Sequence, residues 1–176
     1  MKRTKRGTAK AEGDGNKSRR PSLYHFTIRL AKKSDLPEIV KMSRNVREIE
    51  NYPGQRMRAE DFGHFVVGEG AMMLVAVGKR GTRSKEEIAG YLTVYRSDNY
   101  FYLPYAVTRK EWRRHGVGGA LLAEAERLAK EEKVEYILMS VYYYNSRVHT
   151  FLKVRGYVPS KKLVQYSKTI TRKGRK

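Results

Sequence analysis

The stretch Val107–Leu122, VTRKEWRRHGVGGALL, decides how this 176-residue chain folds. It leaves an apolar, tyrosine-rich run (Tyr100–Val107), crosses a short basic turn and enters a glycine-rich helix start. Within it, Arg113-Arg114-His115-Gly116-Val117-Gly118-Gly119 has the form R-x-x-G-x-G. The first N–H groups of a helix lack intrahelical acceptors, and the helix dipole places partial positive charge there. Glycines let that backbone come close to an anion. The turn therefore reads as a phosphate cradle, reinforced by three basic side chains in a row. On these residues alone, a plain helix entry remains the alternative reading.

Working outward, the helix that follows carries a buried stripe of Val117, Leu121, Leu122, Ala125, Leu128 and Ala129 and runs to about Lys130. Before the cradle, Tyr100–Val107 reads as a strand. Pro104 inside it cannot donate to a ladder, so it belongs at a bulge or on an unpaired side. Ile88–Tyr95 and Met72–Val77 are strands, the former with two packed faces. His25–Leu30 alternates Phe26, Ile28 and Leu30 as an opening strand. Ser34–Glu38 is a helix start with Asp35 as cap and Pro37 in the first turn. Leu36, Ile39, Val40 and Val46 form that helix's face. A second short helix at Ala59–Val67 buries Phe62, Phe65 and Val66. After the cradle helix come a strand at Val134–Tyr142, a short helix at Asn145–Arg155 closed by Gly156, and closing strands at Tyr157–Val158 and Leu163–Ile170. No internal repeat is present.

The composition narrows the function classes. The chain has no cysteine, which excludes disulfides, thiolate metal sites and a cysteine nucleophile. Its four histidines (His25, His64, His115, His149) show no metal-ligand spacing, so no metal is expected. No apolar run reaches the ~20 residues of a membrane span. No apolar leader is visible, so a cytoplasmic location is expected. The net charge is +20, with net +6 on residues 1–20, net +7 on residues 161–176, and net +7 on the stretch between them. Basic ends of this kind suit a polyanion such as RNA or the ribosome, or serve only to solubilise. Residues 1–21 and 171–176 are read as basic tails, the first disordered, around a domain at 22–170.

The order β-α-α-β-β-β-α-β-α-β-β, together with the motifs, resembles the GNAT superfamily of acetyl-CoA-dependent N-acetyltransferases. Arg113-x-x-Gly116-x-Gly118-Gly119-Ala120-Leu121-Leu122 is similar to its pyrophosphate-binding motif. Asn145, followed by Phe151-Leu152 and Gly156-Tyr157, is similar to its N-x-x-A-x-x-F-Y-x-x-x-G-F signature. The resemblance implies an α/β (α+β) domain with a mixed, mostly antiparallel seven-stranded sheet. Its fourth and fifth strands would splay apart, and about four helices would flank it. It implies that acetyl-CoA lies with its pantetheine against Ala106, Val107 and Thr108 and its diphosphate on Arg113, Arg114, His115, Gly116, Val117, Gly118 and Gly119. Asn145 would hold the pantetheine arm, or cap its helix, or both.

Two positions depart from the family. Leu152 stands where the family's general-acid Tyr is usual. Ser140 stands where a Glu often lies in the members that acetylate protein N-termini and ribosomal proteins. Glu48, Glu50 and Tyr144 are the candidates left for proton transfer, although a solvated helix face accounts for the Glu residues and packing accounts for the Tyr. Proximity of amine and thioester can itself supply much of the rate. The implied function is transfer of an acetyl group from acetyl-CoA to an amine, on a protein N-terminus or lysine. The alternative is an acetyl-CoA-binding module attached to RNA or the ribosome by its tails, with weak or no catalysis. A small polycationic acceptor is disfavoured by the basic body.

Overall fold

The computed structural model describes residues 24–44, 46, 58–81 and 83–160. These divide into two compact units, one up to Leu138 and one from Met139. The first unit is built on a six-stranded sheet: β1 (Tyr24–Leu30), β2 (Ala71–Arg80), β3 (Glu87–Arg96), β4 (Tyr100–Tyr102), β5 (Ala106–Thr108) and β6 (Tyr136–Leu138). The strands lie in the order β1-β2-β3-β4-β6, and β5 also pairs with β3. All pairings are antiparallel except β4 with β6.

Strands β2 and β3 are central because they are apolar on both faces, with Met72–Gly78 and Ile88–Val94 buried throughout. The two faces take different helices. Helices α1 (Leu36–Ser43) and α2 (Ala59–Val67) send Ile39, Val40, Phe62 and Phe65 onto Met73, Val75 and Tyr91. The neighbouring Gly90 points the other way, toward Val117 and Leu121 of α3 (Val117–Glu131). A Cβ at Gly90 would lie 2.7 Å from the Val107 carbonyl oxygen and 2.9 Å from Val117 Cγ1, so this glycine sets how closely α3 approaches the sheet. Within the helical core, Ser43 Oγ donates to the Ile39 carbonyl at 2.7 Å. The fully buried Tyr91 hydroxyl donates to Ser43 Oγ at 2.6 Å.

Several expectations are corrected. The described residues hold six strands rather than seven. Tyr157–Val158 is not a strand, and Leu163–Ile170 lies outside the described residues. The single strand expected over Tyr100–Val107 is two, interrupted at Leu103-Pro104-Tyr105. The strand expected over Val134–Tyr142 is only Tyr136–Leu138, because its ladder with β4 ends where β4 breaks. The first helix stops at Ser43, and Val46 follows it as a partly buried residue packed on the core. Asp35 makes no side-chain cap on α1. Its carboxylate instead accepts from the Lys32 N–H (2.7 Å) and from both Arg29 nitrogens (2.7 and 3.0 Å), closing a 3₁₀ turn at Lys33–Asp35.

The second unit contains α4 (Ser146–Lys153). Gly156, at φ +83°, ends it as expected, with its N–H on the Lys153 carbonyl (3.0 Å) and that of Tyr157 on Leu152 (3.1 Å).

Candidate functional site

The break in the sheet is a bulge. Pairing runs Tyr95↔Tyr102 on one side of it and Leu92↔Ala106 on the other, so one extra residue sits opposite β3. Pro104 occupies the position where no ladder donor is available. The buried Thr93 holds the bulge, with its N–H on the Tyr105 carbonyl (2.9 Å) and its hydroxyl oxygen accepting from the Tyr105 N–H (3.0 Å). At the start of the bulge the Leu103 N–H reaches the Leu138 carbonyl (2.8 Å), and there the β4–β6 ladder ends. Strand β5 then pairs with β3 alone among the described strands. Ala106, Val107 and Thr108 are thus left with one strand edge that no described strand covers, a splay of the kind the family resemblance implies.

The cradle follows directly. After β5 comes a 3₁₀ turn at Lys110–Trp112, then the exposed Arg113–Gly116, then α3. Gly116 adopts φ +84°, and nothing lies within 4 Å of the Cβ it lacks, so conformation rather than crowding calls for glycine. Arg114 also has a positive φ, of 67°. The first bond of α3 runs from the Ala120 N–H to the Gly116 carbonyl at 2.9 Å. The N–H groups of Val117, Gly118 and Gly119 therefore precede the first rung and face out of the helix end. Val117 is buried against the sheet, which anchors that end. Arg113 Nε donates to the Thr108 carbonyl (3.3 Å), and the His115 ring stacks on Tyr24 of β1 with centroids 3.5 Å apart.

A charged clamp that was not evident from the sequence holds this turn. Glu87, at the start of β3, accepts from Trp112 Nε1 (2.9 Å) and Arg80 Nε (2.6 Å), and lies 3.8 Å from Arg109 Nε. Arg109 also donates to the Ile88 carbonyl (3.0 Å) and pairs with Glu38 of α1. Burial pulls the Glu87 carboxyl upward, but the hydrogen bonds from Trp112 and Arg80 and the charges of Arg80 and Arg109 outweigh it and hold it below its ordinary range. Trp112 is fully buried, with its ring edge-on to Tyr24 and Phe26. It is thus a packing residue, not a stacking platform.

On the α2 side of the bulge is a second group that no sequence pattern marks. His64 Nε2 lies 2.8 Å from the Tyr95 hydroxyl, and the two rings are nearly parallel at 12°. Tyr95 faces Tyr102 across the strands, and Phe62 contacts Tyr105 at 6.1 Å between centroids. Burial, with the Tyr105 and Tyr102 phenols adding to it, raises the pKa of Tyr95.

In the second unit Asn145 is the N-cap of α4, and its side-chain oxygen accepts from the Val148 N–H at a long 3.4 Å. Leu152 is buried and Ser140 exposed. Tyr144 is half exposed and stacks on Tyr142. Glu48 and Glu50 lie outside the described residues. Among the described residues no three His, Asp or Glu side chains gather to hold a metal, and no helix is long and apolar enough to cross a membrane.

The family description "Acetyltransferase (GNAT) family" matches residues 39–157. No curated protein matches the chain. Solved structures share its fold. The tetramutant of the BH1408 protein from Bacillus halodurans is 21% identical with a TM-score of 0.67, over 80% of this chain and 99% of that one. An aminoglycoside acetyltransferase from an uncultured soil metagenomic sample, in complex with trehalose, is 16% identical with a TM-score of 0.64, over 83% and 97%. The protein AAC(6')-Iy, in complex with the bisubstrate analog CoA-S-monomethyl-acetylneamine, is 15% identical with a TM-score of 0.66, over 83% and 99%.

Proposed function

Because the chain belongs to the acetyltransferase (GNAT) family, we propose that it moves an acetyl group from acetyl-CoA to a primary amine on a protein, at an N-terminus or a lysine. One observation carries the reading: three N–H groups lie ahead of the first rung of α3, at a left-handed Gly116 with open space around it. That end fits a diphosphate, since the donors, the dipole and the flanking Arg113, Arg114 and His115 all favour negative charge. The uncovered edge of Ala106–Thr108 suits the amides of a pantetheine arm, and the bulge at Pro104 would bring the thioester to the acceptor. Two of the structural neighbours are named aminoglycoside acetyltransferases, but a body of net +7 disfavours small polycations here.

The test is calorimetry with acetyl-CoA, followed by mass spectrometry of peptide and small-amine acceptors. Gly116→Glu and Gly118→Glu should abolish acetyl-CoA binding by placing a carboxylate at the diphosphate. Unchanged affinity in both variants refutes the placement. A second reading is supported by the charge of the chain ends: residues 1–21 and 171–176 attach an acetyl-CoA-binding domain at 22–170 to RNA or the ribosome, with weak or no catalysis.

A further inference from the structure

Acetyl transfer to an alkylammonium needs a group to take the proton that the nitrogen must lose before it attacks, and Ser140 stands where the family resemblance puts a carboxylate. We propose that Tyr95 and His64 form that group, a two-member proton relay on the α2 side of the bulge. The inference rests on the acetyl-transfer reading above.

The geometry is specific. Helix α2 lies over the bulge through Phe62, which meets Tyr105, and through Phe65, whose ring is 4.7 Å from that of Tyr95. Between these two anchors in sequence, His64 is exposed and directs Nε2 at the Tyr95 hydroxyl, 2.8 Å away. Tyr95 is itself 40% exposed, so its oxygen can meet solvent or a ligand. The bulge residues Leu103–Tyr105 begin one position after its cross-strand partner Tyr102. Phenol faces also attract a cation, which suits a protonated amine.

The step balances. The ammonium gives one proton to Tyr95 Oη as the Tyr95 hydroxyl proton passes to His64 Nε2. The freed lone pair attacks the thioester carbonyl carbon, forming C–N. The C–S bond then breaks, the thiolate leaves with the electron pair, and the second amine proton goes to sulfur. The imidazolium returns its proton to solvent. Tyr95 touches the amine and is the catalytic residue, and His64 acts through it. Of the titratable groups, the Tyr95 phenol meets the imidazole, the Tyr102 and Tyr105 phenols act on Tyr95, and Glu60 stands one turn before His64 in the sequence of α2. Helix α1 and β2 pack on α2 through apolar side chains such as Ile39, Val40, Met73 and Val75.

The experiment is steady-state acetylation of a primary-amine peptide over a range of pH, with thermal melts of every variant. Tyr95→Phe keeps the ring on Phe65, and His64→Gln keeps a hydrogen bond to Tyr95 without a titrating group. Both should lose about 10²-fold or more in kcat with the acetyl-CoA KM unchanged, and the double variant should be no worse than the worse single. The acid-side fall of kcat/KM should flatten in His64→Gln. If the wild type turns over while both variants keep its rate, or the acid limb persists in His64→Gln, the relay is wrong and the acetyl-transfer reading stands. A wild type that binds acetyl-CoA but acetylates no amine overturns both.

Discussion

Gly116 and Glu87 show two different ways in which a single residue fixes the turn ahead of α3. At Gly116 the backbone is left-handed and the space is open, so Gly116→Ala should cost about 1–2 kcal/mol through strain alone. Urea unfolding measures that loss, and a fully stable variant would show that the turn adopts another conformation. At Gly118 the missing Cβ would meet Thr108 Oγ1 at an ordinary 3.6 Å, so Gly118→Ala should leave stability nearly unchanged. Glu87 works through charge. Its folded carboxyl lies below its ordinary range, so the stability it gives is present above the unfolded-state value and is lost as pH falls through the folded one. Glu87→Gln should therefore lower stability at neutral pH and flatten its decline on the acid side. Unfolding free energies measured from neutral to acid pH check this, and parallel curves for the two proteins would remove Glu87 from the clamp.

Among elements, the approach of α3 to β3 depends on Gly90. An added methyl would meet a carbonyl oxygen at 2.7 Å and Val117 Cγ1 at 2.9 Å, and the carbonyl belongs to the backbone of β5. Gly90→Ala should cost about 1–3 kcal/mol by overpacking and weaken acetyl-CoA binding with it, as thermal melts and calorimetry would show. Local signals made much of this architecture legible in the sequence. Pro104 gave the bulge, Gly116 and Gly156 gave two helix boundaries, and the apolar runs gave β2 and β3, because each follows from backbone chemistry near its own residue. What periodicity could not supply was pairing. The length of β6 depends on where β4 breaks, so the Val134–Tyr142 run reads as a longer strand than it forms. Asp35 and Glu38 look like a capping pair by spacing, yet Arg29 takes one and Arg109 the other. The Glu87 clamp and the His64–Tyr95 contact join residues 25 and 31 positions apart, a distance over which no helix or strand period carries information.

At the scale of the whole molecule, charge is the feature to test. Against a polyanion the basic ends gain from counterion release, which weakens steeply with salt. Deleting residues 1–21 and 171–176 should sharply reduce RNA binding at low salt and leave acetyl-CoA affinity nearly unchanged. A titration over a range of KCl decides the matter. Equal binding by the full-length and shortened proteins, or affinity flat with salt, would leave the ends with a solubilising role only.

Trp112 is the sole tryptophan of the chain, buried beneath the cradle turn with its indole N–H on Glu87. Its emission therefore comes from one known place. Excited at the red edge of absorption, where the thirteen tyrosines contribute little, the protein carries a built-in optical probe one residue before Arg113. Donor binding, an acid shift at Glu87 or loosening of the turn would each register as a change in its colour or lifetime, with no label attached.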